Sequence, residues 1–329
     1  MTFGIIGTNF ISDWFLSSLP FADATATAVY SRRRETGEAF AAKHGISLVF
    51  DDLEQFLSSD SFEAVYIASP NFCHEAQSTL ALRHGKHVLC EKPIAPSLPA
   101  FLRMQSAAKQ EGRVLMEAMR PHHDSLWQSI KEHLPLIGRV RNAHLDFCQY
   151  SSRYARHLAG EDTNTFDPAL SNAAMLDIGI YPIAAAVMLF GAPRAVSGKS
   201  VLLPSGFEGA GEAVLDYTDH VLSVSYSKVA NSLTPSVILG EKGGVTIDKI
   251  TFPTRAVFHL SAGEELVLQR EKSEAPNNMH EEVLAFASAI REGYVSPFWE
   301  ESAEALRICD TLRHAAGIRF PSDTEDTSW

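Results

Sequence analysis

The sequence lacks the features that identify several classes of protein. It has no low-complexity segment and no internal repeat in its 329 residues. Its few cysteines lie far apart and include no C-x-x-C pair, which argues against a disulfide framework and against a zinc site. Isolated thiols of this kind are typical of a reducing, cytoplasmic protein, and the four concerned are Cys73, Cys90, Cys148 and Cys309.

Positive charge and long apolar runs are also scarce. Lysine and arginine number 28 against 40 acidic residues, which gives a net charge of -12. A general nucleic-acid binder needs a positive face, so nucleic acid is not an expected partner. The longest apolar run, around "IGIYPIAAAVMLFGA", is too short for a membrane span and contains Pro182. The N-terminus has neither the basic region nor the cleavage site of a signal peptide.

Histidines do not supply a metal site either. The pairs His84/His87 and His122/His123 offer too few ligands for zinc. We therefore predict no bound metal.

The first third of the chain alternates short β-rich runs with helical stretches. The runs are "TFGIIG", "TATAVYS", "AVYIAS", "KHVLCEK" and "RVLMEA", and the helices between them end at Gly45, Gly85 and Gly112. This alternation predicts an α/β Rossmann fold, a doubly wound parallel sheet covered on both faces, over residues 1–120.

The pattern changes after residue 120. Alternating strands separated by turns predict an antiparallel sheet, and one helix at about 172–190 precedes several of them. Two helices follow the strands, at "MHEEVLAFASAIREG" and "ESAEALRICDTLRHAAG". We predict a second, α+β domain over 121–329, with helices on one side of its sheet and a frayed polar tail, "PSDTEDTSW".

The stretch "GIIGTNFIS" resembles a dinucleotide-binding turn with substitutions. Gly7 supplies the first glycine of G-x-G-x-x-G, whereas Asn9 and Ser12 replace the other two. Asparagine tolerates a left-handed backbone, so we expect Asn9 to preserve the turn. Ser12 is small enough for close packing of helix on strand. An ordinary strand–helix corner is the alternative interpretation.

The end of the second predicted strand indicates which cofactor would bind. An NAD site usually carries an acidic residue there, but this strand runs into Ser31, Arg32, Arg33 and Arg34. The serine and the first two arginines are suited to a 2′-phosphate, which favours NADP over NAD. The alternative is a solvated basic helix start, although positive charge there opposes the helix dipole.

Two further loops leave predicted strands at the same edge of the sheet. They are Ser69-Pro70-Asn71 and Glu91-Lys92-Pro93. Ligands of open α/β sheets bind beyond the carboxyl ends of the strands. Strands stopped by proline are the alternative, but that explanation gives no reason for a lysine at this edge.

The predicted helix at 172–190 carries an acid and a phenol in an apolar context. Asp177 and Tyr181 are four residues apart, which places both on one face, and Gly179 leaves room between them. Pro182 removes a helical N–H, so the helix should kink or restart there. A hydrogen bond between the acid and the phenol, with no catalytic role, is the alternative.

The ordered set "GIIGT", "YIASPN..H", "EKP" and "LDIGIYP" resembles the Gfo/Idh/MocA family of NAD(P)-dependent oxidoreductases. The resemblance extends over nearly the whole chain. It implies a second domain with a largely antiparallel, open-faced sheet, and a homodimer or homotetramer that assembles through that sheet.

The resemblance also implies roles for individual residues. Lys92 matches the lysine that touches substrate and nicotinamide, Asp177 the acid of D-x-G-x-H/Y, and Tyr181 the histidine or tyrosine of that motif. Since a free tyrosine has a pKa near 10, a cation such as the Lys92 ammonium would help Tyr181 to move a proton. The expected cofactor contacts are Gly7, Thr8, Asn9, Phe10, Ile11, Ser31, Arg32, Arg33, Ser69, Pro70, Asn71, His74, Glu91 and Lys92. The substrate candidates are Arg120, Arg153, Tyr154 and His157.

Two functions from different classes fit these residues. The first is an NADP-dependent dehydrogenase or reductase that moves hydride between nicotinamide and a CH–OH carbon of a sugar, polyol or dihydrodiol. The second is a non-catalytic NADP-binding sensor of the same fold. The presence of Lys92, Asp177 and Tyr181 together favours the enzyme.

Overall fold

A computed structural model describes residues 1–161 and 164–324 of the chain. They form two compact units. The first contains Met1–Arg120 and Ser273–Trp299, and the second contains Pro121–Lys272 and the chain from Glu300 onwards. Among the described residues, no helix combines the length and the apolar character needed to span a bilayer.

The first unit is built on a six-stranded parallel sheet with the strand order β3-β2-β1-β4-β5-β6. This is the order of the dinucleotide-binding Rossmann fold, which confirms the predicted fold class. Its strands are β1 (Thr2–Ile6), β2 (Thr25–Tyr30), β3 (Leu48–Phe50), β4 (Ala64–Ile67), β5 (His87–Glu91) and β6 (Leu115–Ala118). The helices between them are α1 (Phe10–Ser18), α2 (Arg34–His44), α3 (Leu53–Leu57), α4 (His74–Arg83) and α5 (Leu98–Glu111).

The second unit contains an eight-stranded sheet with the order β14-β13-β12-β11-β7-β10-β9-β8. Neighbouring strands are antiparallel apart from the parallel pair β7–β10, which confirms a largely antiparallel sheet. The strands are β7 (Val140–Cys148), β8 (Ala195–Leu202), β9 (Glu208–Asp216), β10 (Val221–Ser227), β11 (Ser236–Gly240), β12 (Gly243–Ile247), β13 (Arg255–Leu260) and β14 (Glu265–Gln269). The helices that precede β8 are α6 (Arg120–His123, at the boundary of the units), α7 (Ser125–His133), α8 (Tyr154–Leu158) and α9 (Ile180–Phe190).

Three strands escape the sequence pattern because they are short or lie at sheet edges. β3 has three residues, and β8 and β14 form the two edges of the second sheet. An edge strand needs fewer apolar residues than a central one, so its alternation is weak.

The helix predicted at "MHEEVLAFASAIREG" belongs to the first unit rather than to the α+β unit. This helix, α10 (Met279–Glu292), buries Met279, Val283 and Phe286 in the same core as Phe3 and Phe15. The Phe286 ring stacks on that of Phe3, with centroids 6.0 Å apart. The first unit therefore takes Ser273–Trp299 as well as residues 1–120, so the predicted span 121–329 is not one continuous unit.

The C-terminal segment is more ordered than predicted up to residue 324. It follows α11 (Trp299–Ala315), and Pro321–Thr324 form a 3₁₀ turn. The Asp323 carboxylate accepts hydrogen bonds from Arg313 Nη1 and Nη2, at 2.6 and 2.9 Å, and from the Phe320 N–H at 2.8 Å. Fraying is therefore wrong for residues 321–324, and residues 325–329 lie outside the described residues.

Candidate active site

The predicted cofactor turn begins with a glycine that no other residue can replace without strain. Gly7 follows β1 with φ of +106°. A Cβ on it would lie 2.6 Å from the Ala68 carbonyl oxygen, so the turn needs glycine for both its backbone angle and its close approach to β4. Ser12 fills the third position, is fully buried, and donates from Oγ to the Gly7 carbonyl at 2.9 Å.

Asn9 preserves the turn in a different way from the one predicted. Its backbone is extended, with φ of -97° and ψ of 177°, so the left-handed conformation is wrong. Its Oδ1 caps α1 by accepting from the N–H groups of Ile11 (3.0 Å) and Ser12 (3.3 Å). Its Nδ2 donates to the Ala68 carbonyl at 2.7 Å. Both ends of the amide are thus engaged inside the turn.

The arginines after β2 divide into two groups. Arg34 begins α2 and pairs with Glu38 at 3.0 Å and with Asp51 at 3.6 Å. Arg32 and Arg33 are exposed at the strand end, and Ser31 beside them is half-buried. Burial raises the pKa of the Cys73 thiol, and the positive charge of Arg32 opposes that rise. The charge of Arg32 therefore influences the loop after β4, which contains Cys73, as well as the loop after β2.

His74 holds the loops after β4 and β5 together. Its ring is buried, with Nδ1 2.8 Å from the Pro93 carbonyl oxygen and Nε2 2.9 Å from that of Ser69. Burial lowers its pKa, although these two carbonyl contacts oppose the shift. Since each ring nitrogen faces a backbone carbonyl, His74 is placed to hold Ser69 and Pro93 near each other.

Lys92 follows a buried carboxylate at the end of β5. The Glu91 side chain accepts from the Tyr66 hydroxyl at 2.6 Å and from the Lys92 backbone N–H at 3.3 Å. Burial raises the pKa of Glu91, and those contacts together with the Lys92 charge oppose the rise. The Lys92 side chain is partly exposed, and the Lys92–Pro93 peptide is cis.

Arg120, a substrate candidate, is tied to α10 within the first unit. Its Nε donates to Asn278 Oδ1 at 2.6 Å. Glu282, one turn along the same helix, is buried, and burial together with the Glu91 charge raises its pKa far above the usual range, while Arg120 opposes the rise. Arg120 thus supplies positive charge to two buried acids, Glu91 and Glu282.

In the second unit, Asp177 and Tyr181 lie on either side of a change in helix type. Met175–Gly179 form a π-helical turn, and α9 starts at Ile180. Residues 174–190 form one continuous helix with the π turn inside it, so the helix expected at 172–190 is present, and its change of type comes before Pro182 rather than as a restart at that residue. A π turn is wider than an α turn and often marks a functional position.

Gly179 allows this turn to lie against the sheet. A Cβ on Gly179 would come within 2.9 Å of the Tyr226 ring on β10. The Tyr226 hydroxyl donates to Glu208 Oε1 at 2.9 Å, and Glu208 Oε2 accepts from the Met175 N–H at 2.8 Å. Glu208 on β9 therefore caps the π turn from a distant strand.

Lys228, just beyond β10, reaches the acid of the predicted motif. Its Nζ donates to Asp177 Oδ2 in an ion pair. Sequence reasoning missed Lys228, Tyr226 and Glu208. The available signal was the alternation in "SVSYSKV", which places residues 226 and 228 on the same face of one strand.

The remaining substrate candidates gather around one phenylalanine. The Phe166 ring lies 4.8 Å from the His157 ring and 5.6 Å from that of Tyr154, measured between centroids. Lys228 Nζ lies 5.6 Å from the centroid of the same Phe166 ring. Tyr154 and His157 are thus brought towards the Asp177–Lys228 pair. Arg153 is exposed and bonds to Thr165.

The edge of the first sheet suits a dinucleotide phosphate. The loops with Gly7, Ser31, Ser69 and Lys92 follow β1, β2, β4 and β5, and these four strands lie side by side. The N-terminus of α1 opens at the same edge, with Thr8 partly buried, Phe10 55% exposed and Ile11 packed against the core. A helix N-terminus and nearby arginines both favour an anionic ligand.

Comparisons with known proteins agree with this description. Residues 1–119 match the model of the "Oxidoreductase family, NAD-binding Rossmann fold", and residues 135–246 match the "GFO/IDH/MocA C-terminal domain". The chain is 41% identical to scyllo-inositol 2-dehydrogenase (NADP(+)) IolU of Bacillus subtilis, with 98% of each chain covered. It is 27% identical to the trans-1,2-dihydrobenzene-1,2-diol dehydrogenase of Mus musculus, with 98% of this chain and 99% of the relative covered.

A solved structure agrees at the level of fold. It is a levoglucosan dehydrogenase in complex with NADH and levoglucosan, with a TM-score of 0.84 and 20% identity over 96% of this chain and 97% of the other. Two family models in sequence order and a relative at 41% identity over nearly the full length decide the assignment. The chain belongs to the Gfo/Idh/MocA family and is an NAD(P)-dependent oxidoreductase.

Proposed function

We propose that the protein is an NADP-dependent dehydrogenase or reductase that acts on a CH–OH carbon of a cyclic polyol, sugar or dihydrodiol. The observation that carries this proposal is the 41% identity to an NADP(+)-dependent scyllo-inositol dehydrogenase over 98% of the chain. The chain is also 27% identical to a trans-1,2-dihydrobenzene-1,2-diol dehydrogenase, and this likeness adds dihydrodiols to the proposed substrate class.

The cofactor side of the proposal rests on the first unit. The Gly7 turn and the start of α1 would hold the pyrophosphate, and Ser31, Arg32 and Arg33 would hold the 2′-phosphate. The residues directly after β2 are Ser31, Arg32 and Arg33, so the strand end carries no carboxylate to bind the ribose hydroxyl of NAD. When bound, NADP+ supplies the acceptor for the hydride.

The proton side rests on three residues. We propose that Tyr181 takes the proton of the substrate hydroxyl during oxidation and returns it during reduction. Lys92 supplies the positive charge that stabilises the developing oxyanion. Asp177, acceptor-only when ionised, receives a hydrogen bond from a substrate hydroxyl.

Incubation with NADP+ and a panel of inositols, aldoses and dihydrodiols tests the proposal, with the absorbance of the reduced cofactor as the signal. We expect turnover with at least one class of substrate. Tight NADP binding without turnover across the panel would instead support the non-catalytic sensor.

Cofactor preference has its own test, with a matched control on the same loop. Replacing Arg32 with alanine should raise the Kd for NADP by about 10- to 100-fold and leave that for NAD nearly unchanged, because one or two charge-assisted hydrogen bonds are lost. Arg34→Ala should change neither, since Arg34 pairs with Glu38 and Asp51. Equal losses for both cofactors in Arg32→Ala would contradict the NADP assignment.

We further propose that the protein assembles as a homodimer or homotetramer through the second sheet, in a cytoplasmic setting in which its four cysteines stay reduced. One face of this sheet carries exposed apolar side chains, which an interface between copies would cover. They are Val201, Val214, Leu239 and Val267. Sedimentation of wild type and Val214→Glu tests this, with dissociation expected in the variant.

A further inference from the structure

Lys228 is a buried lysine whose position is set by the backbone on both sides. Its residue is 5% exposed. Its N–H donates to the Gly209 carbonyl at 2.8 Å, and its own carbonyl accepts from the Ser151 N–H at 2.8 Å. The side chain therefore leaves the end of β10 from a fixed point.

A buried ammonium needs a negative partner, and here the partner is only half-buried. Burying an unpaired charge costs several kcal/mol, so a lysine in this position must be compensated. Its Nζ pairs with Asp177, while the Phe166 ring adds a cation–π contact at 5.6 Å. The Lys228 side chain is 6% exposed and that of Asp177 is 33% exposed. The carboxylate is thus the more exposed half of the pair, and the ammonium is the buried half.

The other buried acid near the π turn has a separate task. Glu208 accepts hydrogen bonds from Ser200, Tyr226 and the Met175 N–H, and burial raises its pKa. It holds the backbone of the turn. Lys228, by contrast, binds the Asp177 side chain of the same π turn.

We propose that Lys228 is a positioning residue for catalysis, which keeps Asp177 ionised and orients its carboxylate as a hydrogen-bond acceptor for a substrate hydroxyl. The inference rests on the proposed function, since Asp177 acts on substrate only if the protein is a catalyst. Lys228, which lies 51 positions from Asp177 in the sequence, would thus set the protonation state and the orientation of that carboxylate.

The test compares Lys228→Met and Lys228→Gln, which remove the cation, with Lys228→Arg, which keeps it. Lys249→Met, an exposed lysine outside the pair, is the matched control. Two quantities are measured in the full-length protein. One is the carboxyl ¹³C NMR titration of Asp177, assigned with Asp177→Asn, and the other is the pH profile of kcat/KM.

In both neutral variants we expect the Asp177 titration and the acidic limb of the profile to move up by about one pH unit or more, because an opposite charge at contact distance shifts a carboxyl by about that much. The value of kcat/KM near neutral pH should fall by about 10- to 100-fold. Lys228→Arg should stay close to wild type in both measurements, and Lys249→Met should match wild type.

An unchanged Asp177 titration in the neutral variants would overturn the inference. A loss of activity with an unmoved acidic limb would also overturn it, because a purely structural lysine gives that result. If Lys228→Met does not fold, Lys228→Gln and Lys228→Arg still decide the outcome. Should wild type turn over no substrate while the titration shifts as expected, the proposed function fails and the pairing of Lys228 with Asp177 stands.

Discussion

The two units of the protein place functional residues by different means. In the first unit, the turn at Gly7 and the loops with Ser31, Ser69 and Lys92 follow adjacent parallel strands, so the sheet itself brings them to one edge. In the second unit, Asp177 depends on partners from other strands, namely Lys228 and, through the π turn, Glu208. Local sequence therefore reveals the first arrangement much better than the second.

We expect the largest loss of activity when the proposed catalytic residue of either unit is replaced. Lys92→Met and Tyr181→Phe should each lower kcat by about 10²- to 10⁴-fold, because one removes the charge that stabilises the oxyanion and the other removes the proton carrier. Steady-state kinetics with NADP+ measure both. Full kcat in Tyr181→Phe with loss of activity in Lys92→Met would assign the proton to the lysine.

The two close-packed glycines should differ in the cost of a methyl group. Gly7→Ala meets a backbone carbonyl at 2.6 Å and carries a positive φ, so we expect a loss of more than about 3 kcal/mol and weakened NADP binding. Gly179→Ala has ordinary helical angles and meets only the Tyr226 ring, so about 1 to 3 kcal/mol should be lost. Urea unfolding measures both, and a milder effect at Gly7 would be inconsistent with the geometry.

Helix capping gives the next comparison. Glu208→Ala should cost about 3 kcal/mol, because it leaves the Tyr226 hydroxyl and the Met175 N–H without a buried acceptor. Asn9→Ala removes a local cap at a partly exposed turn and should cost about 1 kcal/mol. Asn9→Asp retains the cap oxygen and serves as its control. If Glu208→Ala and Asn9→Ala lowered the free energy of unfolding equally, the long-range cap by Glu208 would be no more stabilising than the local cap by Asn9.

Acid stability compares a buried histidine, His122, with a partly buried one, His87. Burial lowers the pKa of His122 in the second unit to about 3, and burial, aided by Arg113, lowers that of His87 in the first to about 4. The unfolded chain takes up these protons near pH 6.5 while the folded chain does not. The free energy of unfolding should therefore fall as pH drops from 6.5 towards 4, by about 1.4 kcal/mol per pH unit for each histidine.

Single variants isolate these contributions. The pH slope of unfolding should be shallower in His122→Phe and in His87→Phe than in wild type over the same range. Buried acids with raised pKa values, such as Glu208, act in the opposite direction but are common to all three proteins. An unchanged slope in both variants would contradict the assignment of His122 and His87 as neutral in the folded protein.

Prediction from sequence succeeded where structure follows from local order. The parallel strands, the stop glycines and the cofactor-side loops all lie within about 120 residues of alternating pattern, and the comparisons confirm the fold and the family. It failed where distant segments meet. Nothing local indicates that α10 packs on Phe3 or that Lys228 reaches Asp177. The error at Asn9 is of another kind, because an asparagine that caps a helix from an extended backbone is a local pattern.

Isotope transfer shows whether the protein moves hydride from a CH–OH carbon to nicotinamide. The protein is incubated with NADP+ and carbon-deuterated polyols, sugars and dihydrodiols, and the reduced cofactor is examined by NMR at nicotinamide C4. We expect one deuterium at C4 with at least one substrate, and none when Lys92→Met replaces wild type. Saturated NADP binding with no deuterium at C4 for any substrate would contradict it.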